Sequence, residues 1–222
     1  MNGFALEAIR QGAVDWSKVT PREIQELSKK MLDAAHVPPR IRAEYFRSFH
    51  RFSYEGPWLM ANLYDLLSAI GETPDCRVLP TVGEVPWQSD ILPEDLRTFY
   101  SECGGLTLFM SGDYPISIVS PTRFRRANPV VLKSDCIDDI SYHWFIVAEN
   151  AGDIITIDCH PDRLGRCYDS HFEGHAMPGS CPIIARGFTS LLSTLFENRG
   201  EHWYWLRPDY QSMGDAYDGI KK

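Results

Sequence analysis

The run Tyr142-His143-Trp144-Phe145-Ile146-Val147-Ala148-Glu149, the turn Asn150-Ala151-Gly152 and the run Asp153-Ile154-Ile155-Thr156-Ile157-Asp158 decide the fold. Both runs are rich in aromatic and β-branched residues, which suit a pleated, buried surface. Between them Asn150 and Gly152 are residue types that tolerate positive φ at little steric cost. Trp144 and Ile146 alternate with Phe145 and Val147, so both faces of the first strand are apolar. A strand buried on both sides belongs in the middle of a sheet. A third strand is expected at Arg166-Cys167-Tyr168-Asp169, after the break at Pro161-Asp162-Arg163-Leu164-Gly165. The fold class this predicts is α+β: an antiparallel meander around residues 142–169, flanked by helices, with an α-helical N-terminal extension. The hairpin itself carries no chemistry and reads as a scaffold.

A chain of 222 residues holds one large domain, or one ordinary domain with an extension. Its 44% hydrophobic and 23% charged residues decide against a disordered or membrane chain. No segment reaches the ~20 apolar residues that span a bilayer. The stretch from Met1 to Thr20 lacks an apolar run behind a basic start, so no export signal is expected. Cys76, Cys103, Cys136, Cys159, Cys167 and Cys181 form no C-x-x-C pair. Reduced thiols and a cytoplasmic location are the corresponding expectation.

The formal charge of −8 is unevenly spread. Residues 1–80 carry ten acidic and ten basic side chains, whereas residues 81–222 carry twenty acidic and twelve basic. An acidic second half disfavours nonspecific nucleic-acid binding and speeds encounter with a basic partner. By itself it is equally the mark of ordinary solubility.

Residues 1–80 read as a helical extension. Asn2 to Gln11 has an apolar side, and Thr20-Pro21-Arg22-Glu23 is a capping box ahead of Ile24, Leu27, Met31 and Leu32. Ile41, Tyr45, Phe46, Phe49 and Phe52 suggest a third helix. A fourth, Trp58 to Ile70, carries Leu59, Leu63, Leu66, Leu67 and Ile70 in a stripe that needs a partner, either the second half or a small bundle. Prolines 74, 80 and 86 mark a linker with a short edge strand near Arg77-Val78-Leu79.

An α+β domain is expected over 81–206. It opens with a helix from Leu92 that Gly104-Gly105 should end. Strands follow at Leu106–Met110 and Tyr114–Val119, then a turn or short helix at Pro121–Ala127 and an acidic loop at Ser134–Ile140. After the meander, Phe188, Leu191, Leu192, Leu195 and Phe196 give the clearest helical stripe, and Gly200 is its stop. Residues 207–222 read as a loosely held tail.

Several clusters invite a chemical reading. Asp158, Cys159, His160, Cys167, His171, His175 and Cys181 include a His-x-x-x-His spacing, but Gly174 and Pro178 argue against a helix presenting both rings. No metal site and no cofactor are expected. Cys103 or Cys181 with His171 could be drawn as a nucleophile and base, yet no nucleophile motif surrounds either cysteine. The glycines at 104, 105 and 112 lack the Lys-Ser/Thr of a phosphate loop. Arg123, Arg125 and Arg126 read as an exposed turn balancing nearby acids. In His202-Trp203-Tyr204-Trp205, packing against the body is the favoured reading, with Trp203 and Trp205 as a second-choice contact site.

Five segments in order carry a resemblance: the Leu92–Gly105 helix, Tyr114–Asn128, Phe145–Asp153, Arg166–His171 and the Ala185–Leu192 helix start. Together they resemble the SUKH superfamily, which groups Syd-like proteins with yeast cell-wall-assembly regulators of the Smi/Knr type. The resemblance implies an α+β domain with no catalytic residues. It also implies a cognate toxin as the partner, since bacterial members are mostly immunity proteins. A basic toxin domain would be met by Asp135, Asp138, Asp139, Asp153 and Asp162. Two other classes stay open: a regulatory scaffold like the yeast members, and a metal-dependent hydrolase built on the histidine-rich segment. The oligomeric state is not readable.

Overall fold

The computed structural model describes residues 58–83 and 91–220. The helices expected over 2–11, after Thr20 and over 41–52 lie outside the described residues. Within them the order is α1 (Trp58–Gly71), β1 (Arg77–Pro80), α2 (Glu94–Glu102), β2 (Cys103–Leu108), β3 (Ile116–Ile118), α3 (Asn128–Val131), β4 (Trp144–Asn150), β5 (Asp153–Asp158), β6 (Cys167–Asp169), β7 (Ile183–Ala185) and α4 (Phe188–Glu197). The seven strands form one sheet in sequence order, with each neighbouring pair antiparallel. This is the expected α+β meander: the strands read near 77–79, 106–110 and 114–119 join the three central ones in a single sheet, and β7 is an addition.

Both faces of the sheet are covered. Successive residues of a strand point to opposite faces, and at the starts of β4, β6 and β7 neighbouring residues fall into different hydrophobic clusters. Phe145, Cys167 and Ile184 join the larger cluster with Leu96, Phe99, Leu191 and Leu192. Their chain neighbours Trp144, Tyr168 and Ile183 form a smaller one with Cys181 and Ala216. The larger cluster is built on α2 and α4, whose Phe99 and Phe188 rings meet at 4.8 Å. Gly187 begins α4 without a capping side chain, and Asp95 of α2 supplies the missing acceptor to Thr189 N at 2.8 Å. The apolar stripe of α1 takes the first of its two possible partners: Leu63 and Ile70 are fully buried in the same cluster. With β1 paired to β2, the segment from Trp58 belongs to the sheet unit rather than to a separate extension.

Two turn readings need correction. Gly104-Gly105 does not end α2 but lies inside β2, where a Cβ on Gly104 would sit 2.4 Å from the Pro80 carbonyl oxygen. At Gly105, φ is +118° and a Cβ would come within 2.8 Å of Ile118 O. The pair lets three strands approach closely. In the central hairpin the positive φ values fall on Ala151 (+45°) and Gly152 (+109°), and Asn150 is the last residue of β4.

The chain beyond Pro208 is anchored through the described residues. Tyr210 donates to Ile183 O, Ile183 N donates to Gly214 O, and Ala216 is 1% exposed. This covers the open edge of β7, which would otherwise present unpaired backbone groups.

Gly105 and Ala151 make opposite predictions. Gly105→Ala should lower unfolding free energy by roughly 2 kcal/mol or more, through strain and contact with backbone that cannot move aside. Ala151→Gly should raise it by about 0.5–1 kcal/mol, since Gly relieves a left-handed alanine in open space. Urea denaturation of both variants checks the pair.

Candidate functional site

The tip of the β4–β5 hairpin, the end of β6 and the segment after α4 enclose a cleft of about 470 Å³. Trp203 and Trp205 form one wall, stacked at 4.9 Å with 14° between their planes. Both indoles are buried, at 9% and 6% exposure, so each shows only an edge or part of a face to the cleft. Tyr114 and His202 extend the aromatic wall, with Tyr114 at 5.7 Å from Trp203 and 5.2 Å from His202. Ala148, Ile154 and Ile155 supply apolar floor, while Glu149, Asp153 and Asp169 supply carboxylates.

The three acids differ. Glu149 is paired with Arg123 and Arg125, which is the balancing role expected of that basic turn. Asp169 accepts from Trp205 Nε1 at 2.8 Å and from His171 N at 3.3 Å. Burial pushes its carboxyl above the ordinary carboxylate range, against the lowering effect of those hydrogen bonds. Asp153 stands exposed at the hairpin turn.

The structure gathers Asp153, Trp203 and Trp205 at this cleft and leaves the other four candidates elsewhere. Asp135 and Asp138 are exposed in the loop after α3. Asp139 is half-buried and occupied, accepting from Ser141 N and from Tyr217 OH, each at 2.8 Å. Asp162 is exposed beyond the far end of β5, next to His160. Tyr114 and Asp169 are cleft residues that the sequence did not single out, and His171, weighed there as a metal ligand or base, lies in the cleft instead. The signal for Asp169 was the Arg166–His171 run, read there as part of a fold pattern.

The histidine and cysteine cluster is taken apart by the fold. Cys159 and Cys167 lie in the larger core cluster and Cys181 in the smaller. Burial pushes the Cys103 and Cys181 thiols up to about 11, and Cys167 is raised for the same reason. A protonated, buried thiol is a poor nucleophile. Among the described residues no group of three or more His, Cys, Asp or Glu could hold a metal ion. His175 serves as a latch instead. Its Nε2 meets Asn128 Oδ1 at 2.8 Å, and Asn128 Nδ2 donates to Asp135 O and Ser141 Oγ. That chain ties the 171–181 loop to the acidic 134–140 loop.

A seven-stranded antiparallel meander in sequence order, backed by packed helices, defines a scaffold of a recognisable kind. Residues 90–194 match the SMI1/KNR4 family (SUKH-1), and the chain belongs to that family. It is similar to the immunity protein YokJ of Bacillus subtilis (strain 168), 46% identical over 158 residues that cover 70% of this chain and 96% of the relative. No solved structure matches the chain.

The latch has a pH signature. Burial lowers His175 from 6.5 to about 4, with Asp139 acting weakly the other way. A ring held neutral in the folded state contributes its full stability above its unfolded pKa. That contribution is lost as pH falls from 6.5 toward 4. The loss should reach ~3 kcal/mol at most. The difference in unfolding free energy between the natural protein and His175→Gln should therefore shrink steadily across that window, as followed by urea denaturation.

Proposed function

We propose that this chain is an immunity protein, acting inside the cell that makes it, which neutralises a cognate toxin domain by forming a complex and catalyses no reaction. The observation that carries the reading is its identity with YokJ over nearly the whole of that protein. The chemistry of the chain is consistent with it: the buried thiols are protonated, His175 is tied to Asn128, and Asp158 is ion-paired with Arg163. Among the described residues no helix is long and apolar enough to cross a membrane. The same identity favours this reading over a scaffold of the yeast type.

The docking surface we propose is acidic and has two parts. Asp135 and Asp138 stand on the latched loop, where the Asn128–His175 chain holds the backbone that presents them. Asp153 stands at the cleft mouth with Trp203 and Trp205 behind it, and Asp162 is an outlying charge. Asp139 contributes by fixing the loop through Tyr217. Exposed charges of this sort act mainly on association rate, while buried aromatic contacts act on dissociation.

Co-expression with the cognate toxin should protect cells and yield a co-purifying complex. Asp135→Asn with Asp138→Asn should slow association by roughly three- to tenfold at low salt and flatten its salt dependence. Stopped-flow or biosensor kinetics across a salt series checks this. Unchanged association would remove the acidic loop from the interface, and failure to protect would remove the immunity reading.

A further inference from the structure

We propose that the cleft between the β4–β5 hairpin and the Trp203–Trp205 wall is a receptor for one arginine side chain presented by a protein partner. The proposal rests on the immunity reading only for what carries the arginine; the chemistry of the cleft is independent of it. Its volume of about 470 Å³ lies within the ~300–1,000 Å³ of small-ligand sites. Its walls combine stacked indoles, a tyrosine ring and carboxylates, and no lysine or arginine is among the described residues that line it.

Charge decides the occupant. Glu149 already has two arginine partners, but no lysine or arginine among the described residues pairs with Asp153 or Asp169. Asp169 is part-buried with a side-chain exposure of 14%; it accepts from Trp205 Nε1 and from the His171 backbone N, and the His171 ring Nδ1 lies 3.9 Å away. A part-buried carboxylate beside aromatic rings disfavours anions, and an apolar occupant would desolvate it further without adding a partner. A cation answers both features. A planar guanidinium is favoured over an ammonium because it stacks on an indole and forks to a carboxylate together. In this arrangement Asp169 meets the guanidinium at depth, and Asp153 closes over it from the hairpin turn.

The test uses the full chain alone and Nα-acetylarginine amide as probe, with the citrulline analogue as its neutral isostere. The readout is the indole N–H resonance of Trp205, assigned by its loss in Trp205→Phe among six tryptophans. The expected result is a saturable shift with a Kd of millimolar order for the arginine probe and none for citrulline. Asp169→Asn should weaken binding about tenfold. Asp153→Asn, an exposed substitution outside the core, should weaken it about twofold to threefold and keeps the test open if the first variant does not fold. Equal response to citrulline, no saturable shift, or binding unchanged in both variants would overturn the proposal. If cells remain protected by a double variant that no longer binds the probe, the cleft does not receive the toxin's side chain. If the probe binds but the natural chain gives no protection, the receptor stands and the immunity reading falls.

Discussion

One buried carboxylate fixes the register on which the other elements depend. Asp158 closes β5 with no exposed surface, and its oxygens accept from Trp144 Nε1 (3.1 Å), Tyr168 OH (3.0 Å), Arg163 Nε (2.8 Å) and His160 N (2.8 Å). A carboxylate in that position is tolerated only while every one of those partners is in place, since an unpaired buried charge costs several kcal/mol. The donors come from β4, from β6 and from the turn between β5 and β6. A slip of one residue in either pairing would carry a donor to the wrong face. Burial and the adjacent carboxylate hold the Tyr168 hydroxyl far above its ordinary range, so it remains a donor.

With the register set, the rest of the surface is positioned at its two ends. At the turn end of the hairpin, β4 and β5 deliver Glu149 and Asp153 to the cleft, and β6 delivers Asp169 beneath them. At the other end, Trp144 is the floor of the smaller cluster, which packs against His175 and Tyr217 at ring separations of 5.7 Å and 6.1 Å. These two side chains then hold the acidic loop through Asn128 and Asp139. The two parts of the proposed docking surface are thus coupled to a single central hairpin, which accords with a protein that presents a shape.

The central hairpin and α4 were legible because their patterns have no competing explanation. A strand apolar on both faces belongs inside a sheet, and Phe188, Leu191, Leu192 and Leu195 repeat at helical spacing. β7 was not legible: three residues, Ile183–Ala185, carry too little period to be told from a loop. The glycine pair in β2 misled because glycine also ends helices, and only the closeness of Pro80 O and Ile118 O separates the two uses. The tail is largely polar, yet its anchors, the Tyr210 hydroxyl, the Gly214 carbonyl and buried Ala216, meet partners distant in sequence. For the cleft, Asp153, Trp203 and Trp205 were named for separate reasons. What makes them one place is the antiparallel pairing that brings β5 and β6 beside the segment after α4, and no local pattern encodes that.

The central claim is that protection comes from occupancy and not from turnover. Titrating a fixed amount of purified cognate toxin with this protein and reading residual toxin activity tests it directly. The account predicts a linear fall to zero at a fixed molar ratio, with full activity regained when the complex is dissociated. Complete inactivation by a small fraction of an equivalent, or activity that does not return, would contradict it.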